Sequence, residues 1–192
     1  MFKAEISSES LTILVDFEYT IACKGCNFDC SPKVTSKLIE KKIADEILQA
    51  KLAFSSLRKV IFSGGECFLL KEILLRSIAF SNELGLETKC ITNAYWANNV
   101  NDAHDVASGL SKSGLAELEV ITGVEQQSIV DLRSVINAAD ATTKKSILTT
   151  ISIHTDSPNA SCLHYLSKNR RIVSIYKDRP RLLRLNSLSI GV

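Results

Sequence analysis

The stretch KVIFSGGECFLLKEILLRSIAFSNELGLETKCITN, residues 59–93, contains a complete strand–helix–strand unit. Lys59 to Ser63 is short, apolar and β-branched, which predicts a buried strand. Gly64-Gly65 breaks that run. Cys67 to Leu84 then predicts a helix stopping at Gly85, because glycine tolerates the left-handed conformation that ends helices. Glu87 to Thr92 predicts the next strand. Two strands joined by a helix pair in parallel, since an antiparallel pair needs only a tight turn.

The unit recurs in both directions. Upstream, Leu11 to Phe17 predicts a buried strand, and Ser31-Pro32 combines a capping side chain with a proline suited to the first helical position. Val34, Leu38, Ile43, Ile47, Leu48 and Leu52 follow at helical spacing. Downstream, helices are predicted over 101–112, 128–141 and 158–168, and strands over 118–122 and 147–153. Ile172 to Tyr176 is expected as a sixth strand, and the tail from Arg181 to Val192 has no assignment. Strict alternation gives an α/β protein with parallel strands and right-handed crossovers. Six units leave an open doubly wound sheet or a partial barrel. Without a linker, internal repeat or low-complexity segment, the 192 residues read as a single domain.

Composition narrows the function classes. The net charge of +2 gives no reason to expect a nucleic-acid partner. A basic cluster of Lys168, Arg170, Arg171, Lys177, Arg179, Arg181 and Arg184 reads first as a solvated region, with contact to an acidic group as the alternative. No apolar run is long enough to span a membrane, and the first residues have no signal-like apolar core, so the expectation is a cytoplasmic protein. In that compartment the six cysteines suggest metal or redox chemistry rather than a disulfide framework.

Both topologies place reactive groups at the C-terminal ends of strands. Four polar loops fall there: the segment carrying Cys23, Cys26 and Cys30, then Gly64-Gly65-Glu66, Thr92-Asn93 and Thr122-Gly123. Thiolates bind zinc or iron–sulfur clusters. Structural zinc usually takes four ligands, and no fourth lies near Cys23, Cys26 and Cys30, so the set suits a [4Fe–4S] cluster with one iron open. Zinc and free thiols are the alternatives. Glu66 reads either as a helix-capping acid or as a partner for the ammonium of a bound amino acid. Asn93, Thr92 and Thr122 are ordinary loop polar residues or hydrogen-bonding groups for ribose or carboxylate. Phe28 either stacks on a base or covers the cluster from water. Tyr95 and Trp96 read as core or pocket wall, and Cys67, Cys90 and Cys162 as buried small residues.

These segments together resemble the radical S-adenosylmethionine (radical SAM) superfamily. Ile61-Phe-Ser-Gly-Gly-Glu-Cys67 resembles the family's GGEP motif, which contacts the methionine ammonium, with Cys67 where proline is usual. Gly85 to Ala97 resembles the third strand, which commonly ends in Thr-Asn-Gly, and Leu118 to Gly123 the fourth, whose polar end residue often touches ribose. The likeness runs from about Leu11 to Ile153. The cysteine spacing departs from the family's Cys-x3-Cys-x2-Cys. Cys23, Cys26 and Cys30 have the two gaps exchanged, and the family frame started at Cys26 would put its third ligand on Lys33.

The resemblance implies a parallel (βα)6 partial TIM barrel holding a [4Fe–4S] cluster and S-adenosylmethionine. It implies cluster ligation by Cys23, Cys26 and Cys30 and a methionine site at Gly64, Gly65 and Glu66, with Asn93 and Thr122 toward the ribose. The implied activity is reductive cleavage of S-adenosylmethionine, fed by an external one-electron donor. The resulting 5′-deoxyadenosyl radical abstracts hydrogen from a substrate that the residues do not identify, a peptide being one candidate because a short barrel leaves its mouth open. A non-catalytic scaffold of the same fold, binding a cluster or cofactor, is the competing expectation.

Overall fold

The computed structural model describes residues 4–6, 9–16, 40–123, 126–155 and 161–189. Cys23, Cys26, Phe28 and Cys30, and the helix start expected at Ser31-Pro32, lie outside the described residues. The chain forms two compact units, Met1–Ile91 with Lys112–Ala116, and Thr92–Ser111 with Glu117–Val192.

In the first unit, β1 (Ala4–Ile6) pairs antiparallel with β2 (Ser10–Asp16), Ala4 opposite Ile13. This short strand is not foreseen from sequence. Helix α1 (Glu40–Ala53) leads to β3 (Lys59–Gly64), and α2 (Lys71–Glu83) leads to β4 (Glu87–Thr92, its last residue excepted). β2, β3 and β4 are parallel, with Ser10 aligned to Lys59 and Lys59 to Glu87. Leu11, Ile13, Val60, Phe62, Thr88 and Cys90 alternate along the strands and are fully buried. Ile43 and Ile47 of α1 and Leu74 and Ile78 of α2, each pair four residues apart, complete this core. Burying such side chains contributes roughly 1.5–3 kcal/mol each.

The helix expected from Cys67 to Leu84 is divided. Cys67–Leu70 is a 3-10 turn, and α2 starts only at Lys71, because Leu70 at φ −111°, ψ 46° interrupts the helical backbone. The predicted end is observed, with Gly85 at φ 72° and its N–H donating to the Asn82 carbonyl at 2.9 Å.

The second unit contains α3 (Val100–Lys112, its last residue excepted), β5 (Glu117–Gly123), α4 (Leu132–Lys144), β6 (Leu148–Thr155), α5 (Ser161–Lys168), α6 (Arg170–Asp178) and β7 (Leu183–Ser189). β5, β6 and β7 are parallel and in chain order, Leu118 beside Thr149 and Thr149 beside Leu183. The Thr142 hydroxyl of α4 lies 2.7 Å from that of Thr149, so this face of the strands is the one α4 covers. Val120, Ile151 and Ile153 follow on it at two-residue steps, fully buried. The opposite face carries Glu119, Thr150 and Arg184 in one row and Ile121, Ser152 and Asn186 in the next.

Two expectations fail here. Ile172 to Tyr176 is not a strand but lies within α6. The buried Ile172 and Ile175 are three apart, a helical step, and Asn169 caps the helix by accepting from the Arg171 N–H at 3.0 Å. The sixth parallel strand is β7, in the tail left unassigned. There Leu183 is buried and Arg184 and Asn186 are exposed, a period of two. The expected helix over 128–141 is shifted to α4, because Asp131 provides the cap, accepting from the Arg133 N–H at 2.7 Å.

The basic C-terminal cluster is partly structural. Asp140 of α4 pairs with Arg171 at 3.0 Å, Arg179 at 3.3 Å and Lys144 at 2.9 Å. Burial works against ionising Asp140, but hydrogen bonds and charge from Lys144 and Arg171 outweigh it and hold the carboxyl below its ordinary value of 3.8. A depressed carboxylate stabilises the fold above its unfolded pKa and loses that contribution as pH falls through the folded value. The urea midpoint is therefore expected to fall as pH drops below about 4, and Asp140→Asn is expected to flatten that dependence. Parallel pH profiles for the two proteins would contradict this assignment.

No helix among the described residues is long and apolar enough to cross a membrane.

Candidate functional site

At the C-terminal end of β3, Gly64 has φ 135°, a conformation that side chains other than glycine's rarely adopt. The chain turns there into extended Glu66, at φ −145° and ψ 104°. Glu66 is 1% exposed, and its Oε1 accepts from the Phe68 N–H at 3.1 Å, so the capping role read from sequence is observed.

Cys67 takes the first position of the 3-10 turn, where a proline, as in the resembled motif, lacks no needed N–H. Its thiol instead donates to the Ile91 carbonyl at 3.3 Å. Burial pushes the Cys67 thiol well up, with the Cys90 thiol and the Glu66 charge acting the same way. A thiol held protonated in an apolar setting is a poor ligand and nucleophile. Cys67 and Cys90 are buried free cysteines, as expected. Among the described residues no group of three or more His, Cys, Asp or Glu side chains is placed to hold a metal ion.

In the second unit, Thr92, Asn93 and Ala94 form a tightly tied turn. The Thr92 hydroxyl accepts from the Ala94 N–H at 3.1 Å and from the Trp96 indole at 3.2 Å. Asn93 Oδ1 accepts from the Tyr95 N–H at 2.9 Å. Asn93 is 2% exposed and Trp96 9%, so the indole packs inward. Ala94 has φ 65° and ψ 25°, left-handed at the position where the resembled motif commonly has glycine. A side chain there costs roughly 1–2 kcal/mol, so the turn is held by its side-chain hydrogen bonds against that strain. Behind it, Asn137 of α4 donates to the Ala97 carbonyl at 2.9 Å and accepts from Arg171 at 2.7 Å.

At the end of β5, Thr122 is 1% exposed, and its hydroxyl has no hydrogen-bond partner among the described residues. It follows Leu118 and Val120 on the α4-covered face. Gly123 lies against the backbone of β6: a Cβ there would strike the His154 carbonyl oxygen and approach Gln126 Oε1 to 3.0 Å. Gly64, Gly65 and Glu66 are contiguous in the first unit, and Asn93 and Thr122 lie in the second.

Sequence reading passed over the opposite face of β5–β7. There Ser152 Oγ donates to Glu119 Oε1 at 2.5 Å, and Thr150 and Ser152 are 4% and 1% exposed. The signal was present as polar residues at every second position of apolar strands, but such alternation also describes an ordinary solvated face.

Neither a family model nor a curated protein matches the chain. A solved structure titled as methylornithine synthase, PylB, has the same fold, with a TM-score of 0.62 and 13% sequence identity. The alignment covers 95% of this chain and 55% of that one, so the chain spans about half the length of that protein. At this identity the likeness shows the fold alone: α/β, with parallel strands alternating with helices as in a partial TIM barrel.

Proposed function

We propose that this chain is a radical SAM enzyme. Cys23, Cys26 and Cys30 hold the [4Fe–4S] cluster, with Gly64, Gly65 and Glu66 at the methionine end of S-adenosylmethionine. Asn93 and Thr122 lie toward the ribose, and Phe28 is against the cluster or the base. The observation that carries the reading is the Gly64–Glu66 segment, where a positive-φ glycine leads directly to a buried carboxylate at a strand's C-terminal end. The buried Thr122 hydroxyl, without a hydrogen-bond partner among the described residues, and the fold shared with a synthase support it. The donor chemistry also fits, since three thiolates leave one iron of a cube open. Bound together, cluster and S-adenosylmethionine supply one-electron reductive cleavage and hydrogen abstraction from substrate, and an external donor provides the electron.

The chain's own groups have narrower tasks. Glu66 offers a carboxylate to an ammonium from a site that excludes water, where such a pair is stronger than in bulk. The backbone at Gly64 and Gly65 admits close approach by a ligand because no Cβ stands in the way. The exchanged cysteine spacing favours one competing reading, a scaffold that binds the cluster without catalysis.

Anaerobic reconstitution with iron and sulfide, followed by reductant and S-adenosylmethionine, tests both. The expected result is 5′-deoxyadenosine by mass spectrometry, lost with the iron in Cys26→Ala and retained in Cys67→Ala. A fully loaded cluster without product would overturn the enzyme reading in favour of the scaffold. Iron retained in Cys26→Ala would overturn the ligand set.

A further inference from the structure

Strand β7 is the edge of its ladder. Leu183–Ser189 pair with β6 in continuous register, and no described strand pairs with β7 on its other side. The Thr149 N–H donates to the Leu182 carbonyl at 2.8 Å, so by alternation the backbone groups of Arg184, Asn186 and Leu188 also face β6. Those of Leu183, Leu185, Ser187 and Ser189 face away, toward no described strand. Such a row of N–H and C=O groups is a template for another strand. Edges are commonly blunted by a bulge or a proline, and β7 has neither. The surroundings are basic. Lys168, Arg170, Lys177, Arg181 and Arg184 are exposed and form no ion pair among the described residues. Asp178 is the only acid in the sequence after Lys168, and its carboxylate accepts from the Ser174 hydroxyl at 3.0 Å.

We infer that β7 takes an acidic peptide as a further strand. Main-chain hydrogen bonds to Leu183, Leu185 and Ser187 supply the affinity, as in other strand additions. The excess of cations over the one acid selects the partner: acidic side chains are drawn to this end of the chain and basic ones repelled. The same charge works against a second copy of this chain, which would set one basic edge against another. The inference rests on the proposed enzyme reading only for calling this peptide the substrate. It narrows the peptide expected at an open barrel mouth to one with an acidic, extended segment.

Fluorescence anisotropy with two labelled peptides tests it, one alternating glutamate with valine and one alternating lysine with valine, each about six residues long. The acidic peptide is expected to bind and the basic one not to. Replacing both Arg181→Glu and Arg184→Glu is expected to weaken the acidic peptide by about tenfold or more. Both side chains are exposed, so the variant keeps the fold, and circular dichroism checks it. Ser187→Pro removes an N–H that faces away from β6 and leaves the β6 ladder intact, so it is expected to weaken binding by about fivefold or more. Should that variant not fold, hydrogen exchange on the parent gives the same answer. The acidic peptide is expected to protect the Leu183, Leu185 and Ser187 amides and to leave those of Arg184 and Asn186, already in the ladder, unchanged. Equal binding of the two peptides, absence of binding, no gain in protection along β7, or self-association of the chain through β7 would overturn the inference. The titration needs neither cluster nor S-adenosylmethionine. Formation of 5′-deoxyadenosine without peptide binding defeats only this inference, and peptide binding without that product, the cluster being loaded, defeats only the enzyme reading.

Discussion

Gly123→Ala is expected to lower the unfolding free energy by about 3 kcal/mol, among the larger effects of a single added methyl. The new Cβ would overlap the His154 carbonyl oxygen of the neighbouring strand, with Gln126 Oε1 3.0 Å away on another side. A flexible side chain could rotate away, but the backbone carbonyl is held in the parallel β5–β6 ladder, where Gly123 aligns with His154. Relief requires the two strands to part at their C-terminal ends. For a chain of this size the loss corresponds to a fall in melting temperature of roughly 6–12 °C. Gly85→Ala separates this effect from ordinary glycine strain. Gly85 has open space around an added Cβ but φ 72°, so only the left-handed cost of about 1 kcal/mol applies. A melting temperature for Gly123→Ala within a degree or so of the parent would refute the close approach.

Asn137→Ala is expected to cost about 2–3 kcal/mol, more than its size suggests, because it removes two hydrogen bonds at a site 2% exposed. Its amide donates to the Ala97 carbonyl and its oxygen accepts from Arg171, joining α4, α6 and the turn that follows Asn93. Asn137→Asp keeps the acceptor for Arg171 but loses the donor to Ala97, so the two bonds can be apportioned. A cycle with Arg171→Ala should show coupling of about 0.5–3 kcal/mol, as for residues in one network. Urea midpoints measure both. If Asn93 contacts the cofactor as proposed, 5′-deoxyadenosine formation should also fall in Asn137→Ala at temperatures where the variant remains folded. Additive midpoints in the cycle would show that the network is not one unit.

The elements most legible in the sequence were those whose burial pattern repeats locally. Val60 and Phe62, and likewise Leu118 and Val120, alternate within short apolar runs, and such runs form strands wherever one face is buried. Gly85 announced a helix end because few other residues tolerate φ near 72°. The segment over Ile172 to Tyr176 misled because Ile, Val and Tyr favour strands, whereas the buried Ile172 and Ile175 lie three apart on a helix packed against α4 and a cap precedes them. Packing overrode propensity there. β7 went unassigned because Arg184 and Asn186 looked like a solvated tail, although with Leu183 they form the alternation of a half-buried strand.

Among the candidate site residues, those read from a single loop were the recognisable ones. Gly64, Gly65 and Glu66 adjoin in sequence, and so do Thr92 and Asn93. By itself the sequence therefore determined the α/β class, the parallel order implied by alternation, and the polar loops at strand ends. All of these follow from local periodicity and from the conformational limits of individual residues. Only the tertiary structure decided that the Thr122 hydroxyl is buried without a partner among the described residues, that Asp140 gathers Lys144, Arg171 and Arg179, and that Glu119 and Arg184 stand on one face around Thr150. Apart from Lys144, one helical turn from Asp140, each such relation joins residues far apart in the chain. Strand register and helix packing set them, and no short window of sequence contains both partners.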